Sequence, residues 1–372
     1  MTMEQRPSAA VSGPPEPLGV LRWFHPGWFG AVMGTAIVGI TLFVNPGKLA
    51  GLQSTAQAVG AVLVLLAAVL AVVLGIPYLL RWIRHPDAAL QDLRHPVVGP
   101  LFGTFPGGLL VLAVAVATVG PQYLSAAGVH DIVAGLTWVG APLAFAISVV
   151  FGSLLFLTPS VETPSANGGW FIPPVVNIII PVTLAALVPH ASPETARLLL
   201  VLGYATWGMG FVLFIMVASL LFDRLVFHPL PPVTLAPSLW ISLGPLGAGG
   251  LALLRLAQVG APLWGPAVGT VQAVSLLAAL VLWGFGFWWL TVAVVLLVRY
   301  LHSESWPFGV GLWAFTFPLG AYTAVTTAMA RALNLSALEW LGAALFVALA
   351  VFWVVVGVRT LAAVITKEAW GR

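Results

Sequence analysis

The chain has 372 residues, of which 60% are hydrophobic and only 7% are charged, with a formal net charge of +3 at pH 7. Soluble domains carry roughly a quarter charged residues, so this composition excludes an ordinary soluble protein and indicates a membrane protein. The chain contains no cysteine, which excludes disulfides and thiolate metal sites. Its small basic excess is dispersed and predicts no nucleic-acid-binding patch.

The two ends of the chain differ in composition from the region between them. The first 22 residues are rich in proline and polar side chains and lack the apolar core of a signal peptide. They predict a disordered cytoplasmic tail over 1–22. A single transmembrane domain is predicted over 23–364, and a short cytoplasmic tail over 365–372. Long apolar runs such as 58–74 favour helices over a transmembrane barrel.

Apolar runs separated by Gly, Pro and charged residues predict an all-α fold with ten transmembrane helices. The predicted helices are 25–44, 57–83, 96–119, 130–157, 168–189, 195–222, 235–258, 267–299, 307–331 and 337–364. Of the 14 Lys and Arg, ten fall on the side of the two chain ends and four on the other. This asymmetry predicts a multi-pass protein of the cell membrane with both termini in the cytoplasm.

The odd-numbered helices begin near residues 25, 95, 168, 235 and 307, a period of about 70 that predicts five helical hairpins. LWISLGPLG from Leu239 aligns without a gap with LWAFTFPLG from Leu312. LFGTFPGG in the third helix and VVNIIIPV in the fifth are expected to place their prolines equivalently. Four helix breaks are therefore predicted, at Pro106, Pro181, Pro245 and Pro318.

The even helices are apolar on every side, which predicts an outer, lipid-facing ring. Interrupted backbone is tolerated at membrane depth where it lines a cavity, so the odd helices are predicted to surround a central pore. The predicted pore-lining residues are Val32, Ile180, Gly244, Thr104, Asn177, Ser242 and Thr316. The glycines near the prolines are expected to leave open volume; the alternative is that they allow close helix packing.

Phe105 and Phe317 directly precede two of these prolines and are predicted to face each other as obstructions of the pore. An aromatic ring in a narrow apolar pore excludes water and stops ions until it rotates. The alternative is that each ring packs against lipid or a neighbouring helix. Phe315 replaces Phe317 as the candidate if the register of the ninth helix is shifted.

Ionisable side chains are nearly absent from the helix centres, and the positive ends of half-helices hold anions only weakly. Arg255 and Arg331 are predicted to concentrate anions at the outer mouth, or else to extend to the membrane interface. Histidines at the inner ends predict either a pH-sensitive vestibule or interfacial packing. They are His25, His95, His228 and His302. The chain has no P-loop, HExxH or GxSxG motif, so neither an enzyme nor a cofactor or metal site is predicted.

Four short motifs carry a resemblance to a known family: FHPGWFGAVMGTAI, GTFPGG, GGWFIPP and LWAFTFPLGAYT. The chain resembles the tellurite-resistance/dicarboxylate transporter family, which includes the bacterial tellurite-resistance permease, yeast malate and sulfite transporters, and the plant guard-cell slow anion channel. The likeness covers about residues 23–364. It implies a pseudo-fivefold pore formed by the odd helices, a homotrimer in membrane lipid with one pore per subunit, and an occluding phenylalanine at Phe317.

We expect passive or weakly coupled movement of small anions, with malate-like C4-dicarboxylates first and chloride, nitrate or sulfite behind them. A proton-coupled dicarboxylate or sulfite carrier is the alternative, although the helix centres lack the carboxylates of a buried proton relay. A membrane scaffold without transport is a second alternative. It would not need interruptions repeated on alternate helices.

Overall fold

The structure is a computed structural model, and it describes residues 17–158, 161–303 and 305–370. Within these ranges the chain is all-α and contains no strand. Its ten long helices are α1 (Phe29–Val44), α2 (Gln53–Arg84), α3 (Thr104–Val119), α4 (Ala126–Leu157), α5 (Ile172–Leu187), α6 (Pro193–Phe227), α7 (Leu243–Val259), α8 (Val268–Ser303), α9 (Thr316–Ala332) and α10 (Ser336–Ile365). Short helices at Pro17–Arg22, Pro86–Arg94 and Ala261–Trp264 lie between or before them.

Nine of the ten long helices, taken with their flanking turns, are long and apolar enough to cross a membrane within the described part of the chain. The exception is α9, which is rich in threonine. Its hydroxyls are nevertheless satisfied, because Thr323, Thr326 and Thr327 each donate to the carbonyl oxygen four residues earlier. This helix is buried among the others, so its polar composition does not face lipid.

The odd and even helices form an inner and an outer ring. The most apolar 18-residue windows of α1, α3, α5 and α7 are 78%, 67%, 89% and 83% buried, whereas those of the five even helices are 17% to 22% buried. Each odd helix packs against the next odd helix, and α9 packs against α1, so the inner ring is closed. Each odd helix also packs against the even helix that follows it.

Each odd helix begins with a 3-10 segment. These segments are Pro26–Trp28, Gly99–Gly103, Gly168–Phe171, Val233–Trp240 and Val310–Phe315. The α-helices that follow start 68 to 75 residues apart, close to the predicted period. The change from 3-10 to α geometry is therefore the element that repeats around the ring.

The prolines lie at these changes of geometry and do not break a helix. Pro106, Pro245 and Pro318 are each the third residue of an α-helix. Amides in the first turn have no intrahelical acceptor, so a proline there forfeits no helical hydrogen bond. In α5 the third residue is Pro174, whereas α5 continues through Pro181 for another six residues. The predicted helix breaks are thus wrong, and the counterpart of the other prolines in α5 is Pro174.

Several glycines near the helix starts bring neighbouring helices into close contact. A Cβ added to Gly107 would lie 2.9 Å from Val176 Cγ1 and 3.0 Å from Met33 Sδ. One added to Gly320 would lie 2.6 Å from Ile37 Cγ1. For Gly107 and Gly320 the expectation of open volume is wrong, because these glycines instead allow the inner ring to pack tightly.

The predicted N-terminal tail is partly ordered. Residues 1–16 lie outside the described residues, but Pro17–Arg22 form a short helix, so the predicted disorder is wrong for this part. The buried Arg81 donates to the carbonyl oxygen of Arg22 at 3.0 Å, and the Arg22 guanidinium pairs with Asp87 at 2.5 Å. These contacts fix the segment against the end of α2.

The predicted C-terminal tail is also ordered in part. After α10 ends at Ile365, a 3-10 turn covers Glu368–Trp370. The Trp370 ring lies 5.6 Å from the ring of Trp28, at the start of α1. Residues 371 and 372 lie outside the described residues.

Candidate functional site: two cavities on the axis of the ring

A cavity of about 110 Å³ lies at the amino-terminal ends of the odd helices, and we call it the amino-end cavity. All five odd helices, or the 3-10 segments before them, contribute to its lining, which places it on the axis of the ring. Its lining includes His25, Met33, Thr104, Asn167, Val175, Ser238, Ile241 and Phe317. None of the described residues that line it is Asp, Glu, Lys or Arg.

A second, larger cavity of about 1030 Å³ lies at the opposite ends of the odd helices, and we call it the carboxyl-end cavity. The last turns of all five odd helices line it, together with parts of α4 and α8. Its histidine, arginine and glutamine residues are His130, His190, Arg255, Gln258, Gln272 and Arg331. No Asp or Glu belongs to its lining as far as the chain is described.

Buried side chains fill the ring between the two cavities, and we call this part the partition. It comprises 34–39 of α1, 176–181 of α5 and 319–323 of α9, with the facing parts of α3 and α7. On α1, α5 and α9 the nearest lining residues of the two cavities are six or seven positions apart. At 1.5 Å per residue the partition is about 10 Å thick.

Phe317 lies where the amino-end cavity meets the partition. It is the second residue of α9, and it is 6% exposed. A Cβ added to Gly244 would lie 3.6 Å from Phe317 Cε1 and 3.2 Å from Val175 Cγ2, so residues of α5, α7 and α9 meet here. No aromatic side chain in the described ranges forms a ring contact with Phe317.

Phe105 is also the second residue of an odd helix, but it lines neither cavity. Its ring stacks on Tyr78 of α2 at 4.8 Å and meets Phe29 of α1 edge-on at 4.9 Å. The structure therefore places Phe105 between α1, α2 and α3 and does not bring it opposite Phe317. Phe315 likewise packs away from the cavities, stacked on Phe352 of α10 at 4.9 Å.

Two of the other predicted pore residues lie near the amino-end cavity. Thr104 lines it and donates its hydroxyl to the carbonyl oxygen of Pro26 at 2.8 Å. Gly244 lies beside Phe317, as described above. These two positions, with Phe317, are the predicted site residues that the structure brings together.

The remaining predicted pore residues are buried and line neither cavity. Thr316 and Ser242 donate to carbonyl oxygens of the preceding turn, and Asn177 donates to Pro173 at 2.8 Å. The Asn177 Nδ2 also lies 3.4 Å from the carbonyl oxygen of Ala144 in α4, which directs this side chain away from the axis. Val32 and Ile180 are 0% and 2% exposed.

The two predicted mouth arginines both line the carboxyl-end cavity but differ in their contacts. Arg331 Nη2 donates to Glu339 Oε1 at 3.1 Å and to the carbonyl oxygens of Val44 and Asn45 at 2.8 and 3.2 Å. It therefore ties α9 to α10 and to the end of α1. Arg255 has no hydrogen bond or ion pair with any described residue.

Among the described residues, His25 is the one of the four histidines predicted near the inner ends that lines the amino-end cavity. Its Nδ1 accepts the backbone N–H of Gly27 at 3.1 Å, which assigns the proton of the neutral ring to Nε2. Burial lowers the pKa of His25 to about 4, an effect that Asp92 opposes and Arg81 strengthens. The ring is therefore a neutral N–H donor at physiological pH.

Sequence reasoning missed several lining residues. Met33, Val175 and Ile241 line the amino-end cavity next to Phe317. The signal for Val175 was the motif GGWFIPP, because aligning Pro174 with the other prolines places Pro173 at the position of Phe317 and Val175 two residues further along the helix. No repeat pattern marks His130, which lies near the start of α4, or His190, which ends the 3-10 turn after α5.

A family model described as "Voltage-dependent anion channel" matches residues 23–361. An uncharacterized transporter of Methanocaldococcus jannaschii is 31% identical over 95% of this chain and 97% of its own length. A sulfite efflux pump of Trichophyton rubrum is 30% identical over 93% of this chain and 92% of its own. A malic acid transport protein of Schizosaccharomyces pombe is 23% identical over 92% of this chain and 79% of its own.

Proposed function

The chain belongs to the voltage-dependent anion channel family, and from this premise we propose that it moves small anions across a membrane along the axis of the inner ring. The observation that carries the proposal is the closed ring of five odd helices with a cavity at each end. The absence of Asp and Glu from the described lining of both cavities favours anions over cations. The relatives named above make sulfite and malate the first anions to test.

Phe317 is the gate in this proposal. Its ring adjoins the partition, and a glycine rather than a bulky side chain lies beside it on α7. Rotation of the ring would open the amino-end cavity toward the partition, which is only about 10 Å thick. A dewetted apolar constriction of this kind stops ions until it is widened. Phe105 has no such role in the proposal because it lies among the aromatic residues of α1 and α2.

A proton-coupled carrier is the second candidate. Anion export by a relative described as an efflux pump supports it. A buried carboxylate relay has little support, since the partition ranges of α1, α5 and α9 contain no Asp, Glu or His. Coupling would then require the substrate itself, or water, to carry the proton.

The proposal is tested by reconstituting the purified protein in liposomes and measuring currents and tracer fluxes under sulfite, malate, chloride and potassium gradients. We expect anion-selective flux, and Phe317→Ala should raise it by about tenfold or more because the constriction is lost. Phe315→Ala is the matched control and should leave flux unchanged. Cation selectivity, or no flux in either the wild type or Phe317→Ala, contradicts the proposal.

The finer expectations of location and assembly are also proposals. We propose a protein of the cell membrane, with both chain ends in the cytoplasm, assembled as a homotrimer with one passage per subunit. The apolar, largely exposed faces of the even helices support subunit or lipid contacts on the outer ring. Mass measurement in native nanodiscs tests the trimer, and protease protection of tags at both ends tests the orientation.

A further inference from the structure

The carboxyl-end cavity has an electrostatic character that the amino-end cavity lacks. Its lining carries two arginines, two histidines and two glutamines, and no acidic residue among those described. Inside a membrane protein the effective dielectric constant is low, so charge in a cavity acts more strongly than in water. An anion that enters this cavity meets positive and hydrogen-bond-donating groups without a competing carboxylate.

Arg255 is the cation in this cavity that is available to a ligand. Arg331 is committed to Glu339 and to the end of α1, whereas Arg255 makes no hydrogen bond or ion pair with any described residue. Because α7 belongs to the inner ring and Arg255 lines the cavity, its head group lies over the cavity and not over lipid. Its guanidinium offers five N–H donors in a planar fork that matches two oxygens of one anion.

Two amides accompany Arg255. Gln258 is three residues further along α7 and therefore shares its helix face, and Gln272 faces the same cavity from α8. A side-chain amide donates two hydrogen bonds, so these residues can complete the coordination of an oxyanion held by the arginine fork. A halide ion has a single centre, so it accepts the N–H groups of the fork at one point and lacks the second, matching acceptor atom of an oxyanion.

A second arm of the cavity lies nearer its rim. The rings of His130 and His190 are 5.6 Å apart and nearly perpendicular, and both line the cavity. The Nδ1 of His130 is buried and has no hydrogen-bond partner within the described residues. His190 lies beyond the end of α5. Arg255 lies four residues before the end of α7, so Arg255 is about 6 Å deeper in the ring than the end of its own helix.

We propose that the carboxyl-end cavity contains an oxyanion-binding site in which Arg255, Gln258 and Gln272 bind one carboxylate or sulfite group. The His130–His190 pair contacts a second carboxylate when the anion is a dicarboxylate. The proposal rests on the proposed function and sharpens it, because it assigns oxyanions, in preference to halides, to the passage. It also gives Arg255 and Arg331 different tasks, ligand binding for the first and helix attachment for the second.

Binding is measured by isothermal titration calorimetry on the purified full chain in nanodiscs, with malate, sulfite and chloride as probes at matched ionic strength. We expect Arg255→Gln to weaken malate and sulfite binding by about tenfold or more, and Arg255→Lys to weaken them less, since lysine keeps the charge but loses the fork. His190→Gln should weaken malate binding by about threefold and leave sulfite binding unchanged.

Arg197→Gln is the matched control, because it removes the same charge from an exposed position near the start of α6 at the same end of the ring. It should leave all three affinities unchanged. Equal oxyanion affinity in wild type and Arg255→Gln overturns the site, and chloride binding as tight as that of sulfite overturns the oxyanion class. If Arg255→Gln fails to fold, Gln272→Leu serves in its place and must weaken both oxyanions.

The site and the proposed function fail separately. Wild-type protein that binds malate or sulfite through Arg255 but carries neither across a liposome membrane overturns the proposed function and leaves the site standing. Wild-type protein that carries these anions with an unchanged profile in Arg255→Gln overturns the site alone.

Discussion

Phe105 and Phe317 occupy the same backbone position, the second residue of an odd helix and directly before its proline, yet their surroundings differ. Phe105 stacks on Tyr78 and meets Phe29, whereas Phe317 adjoins a cavity and faces Gly244. The repeat determines where each helix begins. The neighbouring helices then determine whether the ring packs among other aromatic rings, as the partly exposed Phe105 does, or lies buried beside a cavity, as Phe317 does.

Thiol labelling gives the largest expected effect, a difference in reaction rate between a residue beside the amino-end cavity and a residue of the partition. The chain has no cysteine, so single cysteines at Val32, Phe105, Ile180, Gly244 and Phe317 would be unique thiols. We expect a water-soluble reagent to modify Phe317→Cys at least about 1,000-fold faster than Ile180→Cys, because a partition residue reacts only after local opening. Mass spectrometry after timed labelling measures the rates. Equal protection of all five thiols would favour a scaffold over a passage.

Truncating Phe105 tests the other side of the comparison. Phe105→Ala should lower stability by about 2 kcal/mol, less than for a fully buried ring, because Phe105 is partly exposed but packs on Tyr78 and Phe29. It should not raise anion flux. Denaturant unfolding and liposome flux measure the two effects, and Phe105→Leu, which refills part of the space, should recover most of the stability. A rise in flux comparable with that of Phe317→Ala would show that both rings obstruct the passage.

Filling the space beside Phe317 should sharpen the contrast in the opposite direction. Gly244→Val should reduce anion flux by about fivefold, because the added methyl groups crowd the Phe317 ring and Val175. Combining it with Phe317→Ala should restore flux. Gly309→Val is the matched control, since Gly309 lines neither cavity and a Cβ added there would meet no atom within 4 Å. Undiminished flux in Gly244→Val would argue against rotation of the ring toward α7.

Acidification gives the smallest expected effect. The pKa of His25 is lowered from 6.5 to about 4, so the unfolded chain binds more protons than the folded chain between these values. Stability contributed by His25 is therefore present above pH 6.5 and is lost as the pH falls toward 4. Thermal unfolding at pH 7.5 and pH 5.8 should show a loss that is roughly 1 kcal/mol smaller in His25→Gln than in wild type. Equal losses would mean that His25 is already exposed.

Much of the fold follows from composition and period. Helices that are apolar on every side, such as α2 and α10, can face lipid all around. Helices that carry Pro and Gly are expected to pack closely in the interior of the bundle. The burial of the odd and even spans agrees with that division. The family also follows from the motifs at the odd helix starts, and the match over residues 23–361 confirms it.

The side-chain roles could not be predicted in the same way. Pro174 and Pro181 both lie in an apolar stretch, and only the extent of the preceding 3-10 segment selects Pro174. Tyr78 belongs to a helix without a repeat motif, so its contact with Phe105 leaves no periodic signal. Arg255 and Arg331 occupy similar positions in the sequence, each near the end of an odd helix. Their contacts differ because, among the described residues, Glu339 of α10 accepts a hydrogen bond from Arg331 and not from Arg255.

Arg331 joins α9 to the end of α1 across 287 positions of the chain. During synthesis α9 is the last odd helix to be made, so the inner ring remains an open arc until then. Contacts of such high sequence separation form late because their loop-closure entropy is large. An arc that lacks α9 leaves tightly packing faces of α1 and α7 uncovered, which favours misassembly. Completion of the membrane barrier is therefore the final event of folding, and shortened chains that end before α9 should leave the ring open.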